Sequence, residues 1–107
     1  MGIEIDYRLH NPDREAAEQR TEQLELRLAW CTDEINICID ELDKMSPGYG
    51  AELHVEADRI MRERDLEKKP LPHSLHKVKD SEKYNGLRER LRIFIDKKIA
   101  ILNSLGR

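Results

Sequence analysis

The chain has few of the residues and segments that several classes of protein require. Two cysteines in 107 residues argue against a fold stapled by disulfides and favour a reducing compartment. No apolar run approaches the ~18 residues of a membrane-spanning helix. The stretch 1–11 contains acidic residues and no long apolar segment, unlike a secretory signal. We therefore predict a cytoplasmic protein that does not enter a membrane.

Motifs that mark enzymes are also scarce. None of the 5 glycines belongs to a phosphate-binding loop, and the chain has neither a nucleophile elbow nor a zinc-protease motif. Pairs of acidic residues at helical spacing are present, and such pairs can hold Mg²⁺: Glu15 with Glu18, Glu22 with Glu25, and Asp40 with Asp43. A metal-dependent all-α enzyme is the minority interpretation. We expect no catalytic residue, metal site or cofactor.

Helix-forming and charged residues are abundant instead. Ala, Glu, Lys, Leu and Arg supply 51 of the 107 residues, and 38% of the chain is charged. These proportions are typical of long helices and coiled coils. We predict one all-α domain: a long helical hairpin or three-helix bundle with a coiled-coil-like heptad seam.

Turn and capping residues divide the chain into an N-terminal segment and three helices. Residues 3–9 alternate apolar and polar side chains, which predicts that the segment 1–11 is a short strand or an extended arm. A strand would pair with its symmetry mate or with another protein, whereas an arm would lie over the helices; the pairing residues would be Ile3, Ile5, Tyr7 and Leu9. Proline at a first helical position and the Ser-Pro-Gly-Tyr-Gly break bound a first helix at 12–45. Further helices are predicted at about 51–68 and 81–104. Residues 12–107 then form the single helical domain.

The first predicted helix is apolar on two faces. Its heptad seam comprises Leu24, Leu28, Cys31, Ile35, Cys38, Leu42 and Met45, continued backward by Ala17 and Thr21. At 100° per residue, Leu26, Trp30 and Ile37 fall on the opposite side. A helix of this kind is either enclosed in a bundle or uses its second face for a partner. We predict that these three residues mediate association, with a homodimer as the favoured oligomer.

Charge is distributed asymmetrically along the chain. Residues 1–58 contain 5 Lys or Arg and 15 Asp or Glu, whereas residues 59–107 contain 14 and 7, so the halves carry −10 and +7. The favoured interpretation is internal pairing of an acidic first helix with a basic last helix. The alternative is an anionic partner such as nucleic acid, bound through the candidate residues Arg88, Arg92, Lys97 and Lys98.

These observations predict a small noncatalytic protein that binds other proteins as an adaptor, assembly factor or inhibitor. We expect it to act as a helical homo-oligomer with a further protein partner. Nucleic-acid binding through the basic C-terminal half is the alternative function.

Overall fold

The computed structural model describes residues 12–64 and 70–107 and confirms the all-α fold class. Its three helices are α1 (Pro12–Met45), α2 (Tyr49–Glu63) and α3 (Ser81–Ser104). The predicted N-terminal strand, with Ile3, Ile5, Tyr7 and Leu9, lies outside the described residues. Within the described ranges, no helix has both the length and the apolar character needed to cross a bilayer.

Local chemistry sets the bounds of α1 and α3, which match the predicted ranges. Proline occupies the first position of α1, where its missing N–H costs no hydrogen bond, and the helix ends before the Ser-Pro-Gly turn. The side chain of Asp80 caps α3 by accepting a 3.0 Å hydrogen bond from the Lys83 N–H. Gly86 lies inside α3 without interrupting it.

The predicted bounds of α2 were wrong. This helix begins at Tyr49, two residues earlier than predicted, because Gly48 takes a φ of 94° and turns the chain directly after α1. It ends at Glu63 because Arg64 has a φ of 54°, in the left-handed region, where a right-handed helix cannot continue. The Arg64 guanidinium donates a 2.6 Å hydrogen bond to the Met61 carbonyl, which helps to hold this conformation.

Helices α1 and α3 pack antiparallel along their length, and α2 packs against both. Two ion pairs give the register: Glu34 with Arg90, and Glu41 with Lys83. The core lies between the three helices and under residues 70–80, the connector that leads to α3. Its buried apolar residues are Cys31, Ile35, Cys38, Ile39, Leu42, Tyr49, Leu53, Ala57, Ile60, Leu71, Tyr84, Leu91, Phe94, Ile95 and Ile99.

The heptad seam of α1 is buried along only part of its length. Four central residues of the seam are buried: Cys31, Ile35, Cys38 and Leu42. Leu24 and Leu28 are half-buried, and Ala17 and Thr21 are exposed. Because α1 has 34 residues and α3 has 24, the first turns of α1 extend past the end of α3. Residues 14–23, the N-terminal arm of α1, are all exposed.

The junction of α1 and α2 depends on the absence of a side chain at Gly50. A Cβ there would lie 2.9 Å from both Cβ and Oδ1 of Asp43. That carboxylate accepts hydrogen bonds from the Gly48 and Gly50 N–H groups, so it cannot withdraw freely. We expect Gly50→Ala to lower the free energy of unfolding by about 1–3 kcal/mol, measured by urea denaturation.

Gly86→Ala is the matched control for this substitution. A Cβ at Gly86 meets nothing within 4 Å, and alanine is the better helix former. The control should therefore raise stability by about 0.5–1 kcal/mol. Equal effects of the two substitutions would show that steric contact with Asp43 is unimportant.

Candidate interaction surface

The side of the α1/α3 pair that faces away from α2 exposes large apolar residues. On α1 these are Leu26, Trp30 and Ile37, with 71%, 50% and 53% of their surface exposed. Ile93 of α3 is 46% exposed. Helical geometry places the three α1 residues in one stripe within about 40° of each other. We call the surface formed by these four residues the α1/α3 face.

Aromatic packing fixes the centre of the α1/α3 face. The rings of Trp30 and Phe94 meet edge to face, with centroids 5.0 Å apart and an interplanar angle of 87°. The Lys97 ammonium lies 5.9 Å from the Trp30 centroid and 5.2 Å from that of Phe94, within the range of a cation–π interaction. The indole is thus held in place although half of its surface is exposed.

A shallow groove of about 360 Å³ runs beside Trp30 along the contact between the two helices. The lining is mainly apolar, but each helix contributes one charged residue, Arg27 from α1 and Lys97 from α3. The other lining residues are Trp30, Cys31, Ala100 and Ile101. The groove extends the apolar surface of the α1/α3 face toward the C-terminal end of α3.

Ion pairs bridge α1 and α3 next to this face. Arg90 Nη2 lies 2.6 Å from Glu34 Oε2, and Lys83 Nζ lies 3.7 Å from Glu41 Oε2. Arg107, near the end of the chain, pairs with Glu25 of α1. Acidic side chains of α1 therefore meet basic side chains of the C-terminal half, as internal pairing of the charge asymmetry predicts. Hydrogen bonding to Lys44 and, less strongly, the charge of Lys83 lower the pKa of Glu41.

The four residues predicted to bind an anion do not form one strip. Arg88 and Arg92 line a groove of about 330 Å³ on the side of the connector, together with Pro70, Leu71, His73, Asn85 and Glu89. Arg92 Nε lies 3.3 Å from the Asp96 carboxylate. Lys97 lies instead against the rings of the α1/α3 face, and Lys98 is half-buried.

Arg88 belongs to a polar network that attaches the connector to the helices. It donates hydrogen bonds to the Leu71 carbonyl, at 2.6 Å, and to Tyr49 Oη, at 3.1 Å. Tyr84 Oη accepts a 2.9 Å bond from the Ser74 N–H. Tyr84 also donates to Tyr49 Oη. Burial, supported by this last bond, raises the pKa of Tyr49 above its ordinary value.

The two cysteines are free and buried in the core, as their position on the heptad seam indicated. Burial raises the pKa of both thiols, and Lys97 and Lys98 oppose that change only partly at Cys31. In ranges 12–64 and 70–107, no group of three or more His, Cys, Asp or Glu residues is placed to hold a metal ion.

Ile93 is a residue of this surface that was not predicted from the sequence. A signal for it was available: at 100° per residue, Ile93 falls about 160° from Leu91 and from Ile95, both of which are in the core. Phe94 lies in the core, and its contact with Trp30 could not be predicted from either helix alone.

Comparison of the chain with protein-family models, with curated proteins and with solved structures gives no match.

Proposed function

We propose that this is a small noncatalytic interaction protein, an adaptor, assembly factor or inhibitor, that acts as a homodimer through the α1/α3 face. One observation carries the proposal: four large apolar side chains, each about half exposed or more, lie on one side of an ordered helix pair. Apolar patches of this kind commonly mark protein interaction sites.

The dimensions of the α1/α3 face suit a dimer. The 24 residues of α3 correspond to about 36 Å of helix, and two adjacent helices are about 20 Å wide. The resulting surface of roughly 700 Å² is close to the ~800 Å² that each partner contributes to a stable interface. Burial of each exposed large side chain can contribute about 1.5–3 kcal/mol.

Trp30 has the properties of an interface anchor. Tryptophan is enriched among the residues that dominate binding energy. Contacts with Phe94 and Lys97 already restrict the indole in the isolated chain. Association consequently costs little additional side-chain entropy at this position.

We expect Trp30→Ala to weaken self-association by at least about 30-fold, because about 2 kcal/mol or more is lost when an aromatic anchor is removed. The measurement is a dilution series in the analytical ultracentrifuge with reductant present. Val55→Ala is the control, since Val55 is 71% exposed but lies on α2, away from the face. The control should leave the dissociation constant unchanged.

Two results would refute the proposal. One is a wild-type chain that stays monomeric at tens of micromolar, and the other is an unchanged dissociation constant in Trp30→Ala. Adding a DNA duplex to the same samples tests the alternative function. A complex that forms at low salt and dissociates steeply as salt rises would favour nucleic-acid binding.

A further inference from the structure

We propose that the second copy docks on the α1/α3 face by rotation about a two-fold axis parallel to the helices, so that α1 of each copy lies on α3 of the other. This inference rests on the proposed function, because it specifies how the same face pairs. It excludes the other face-to-face arrangement, in which α1 lies on α1 and α3 on α3.

The intrachain ion pairs define positions along the bundle. Glu34 is level with Arg90, and Glu41 is level with Lys83. Both pairs are separated by seven residues on each helix, which is about 10.5 Å. A rotation axis parallel to the helices preserves these levels, so each acidic residue of one copy lies level with the same basic residue of the other.

Charge complementarity favours this axis. The side chains of Arg90 and Lys83 are 56% and 54% exposed, so each can approach a second carboxylate while keeping its own. When α1 lies on α3 of the other copy, two acidic and two basic side chains alternate at each level and attract one another. An axis perpendicular to the helices would instead lay an acidic row on an acidic row and a basic row on a basic row, which is unfavourable.

The apolar residues are compatible with the same levels. Continuing the register given by Glu34 and Arg90 places Ile93 within one residue of the level of Trp30. In the proposed pairing, Ile93 of each copy therefore lies over the indole of the other. An isologous dimer forms this contact twice, once on each side of the axis.

The outer edges of the two helices carry carboxylates that would face one another in the proposed pairing. Asp33 and Asp40 precede Glu34 and Glu41 by one residue, and Glu82 and Glu89 precede Lys83 and Arg90 in the same way; all four are exposed. Helical geometry places these carboxylates on the outer edges of their helices. In the proposed pairing, Asp33 and Asp40 of one copy oppose Glu89 and Glu82 of the other.

Two charge-reversal variants and their combination test the pairing by sedimentation. Asp33→Lys with Asp40→Lys converts the repulsive edges into attractive ones, and so does Glu82→Lys with Glu89→Lys. We expect each double variant to lower the dissociation constant about tenfold, since four exposed ion pairs of modest strength replace four repulsions. Combining all four substitutions restores repulsion, so the dissociation constant should return to within about threefold of wild type.

The control is Glu52→Lys with Asp58→Lys, which changes the net charge equally at exposed positions of α2. Tightening in both double variants but not in the control or the quadruple variant supports the pairing. Double variants that behave like the control would overturn it, as would a quadruple variant that binds tightest. If Trp30→Ala still weakens the dimer in that case, the proposed function stands and only this pairing fails. A monomeric wild-type chain would refute both.

Discussion

Replacing Leu91 with alanine is expected to lower the free energy of unfolding by about 3–5 kcal/mol. Leu91 lies in the middle of α3 and is fully buried among core residues from all three helices. Truncation removes buried apolar surface and leaves a cavity. Because α3 packs against both α1 and α2, it cannot shift to fill that cavity. Urea denaturation followed by circular dichroism measures the change, because the signal reports helix content directly.

Leu75→Ala is the matched control, since Leu75 is 89% exposed in the connector. The same chemical change there should alter stability by less than about 0.5 kcal/mol. A loss below about 1 kcal/mol in Leu91→Ala would mean that α3 is not anchored in the core as described.

Replacing Arg88 with methionine is expected to lower the free energy of unfolding by about 1–3 kcal/mol and to loosen the connector. Methionine keeps the apolar stem but removes both hydrogen bonds. The Leu71 carbonyl loses this donor, whereas Tyr49 Oη keeps its hydrogen bonds with Tyr84 and with the Pro72 carbonyl. Each polar group that loses its partner in a buried site costs about 1–3 kcal/mol. Hydrogen exchange should show faster exchange at the Ser74 amide, which is bonded to Tyr84 in the same network.

Arg62→Met, at an exposed position of α2, controls for the loss of a positive charge. It should leave both stability and exchange at Ser74 unchanged. If Arg88→Met has the same free energy of unfolding as wild type and its Ser74 amide exchanges no faster, the network does not hold the connector.

Most of the secondary structure could be predicted because its signals are local. Proline at the start of α1, the glycines after it and the Asp80 cap of α3 act within one turn of the helix ends that they define. The end of α2 was predicted too far along the chain, because the left-handed conformation of Arg64 has no marker in the sequence. Arginine is not a residue that typically favours this conformation.

The α1/α3 face was partly predictable for a related reason. Leu26, Trp30 and Ile37 lie on one helix, so their shared direction follows from the helical repeat alone. The contribution of α3 depends on the register between two helices, which the sequence does not state. The network of Tyr49, Tyr84 and Arg88 joins residues 35 and 39 positions apart. No periodicity within a single helix could have revealed it.

The N-terminal arm of α1 would give a dimer of the proposed kind two different ends. Residues 14–23 are exposed over about 15 Å of helix, and the first turns of α1 extend beyond the end of α3. An axis parallel to the helices makes both arms extend from the same end of the dimer. The opposite end is closed on each copy by the turn into α2 and by the connector. The two ends of such a dimer therefore differ, whereas an antiparallel dimer would carry one arm at each end and its two ends would be identical.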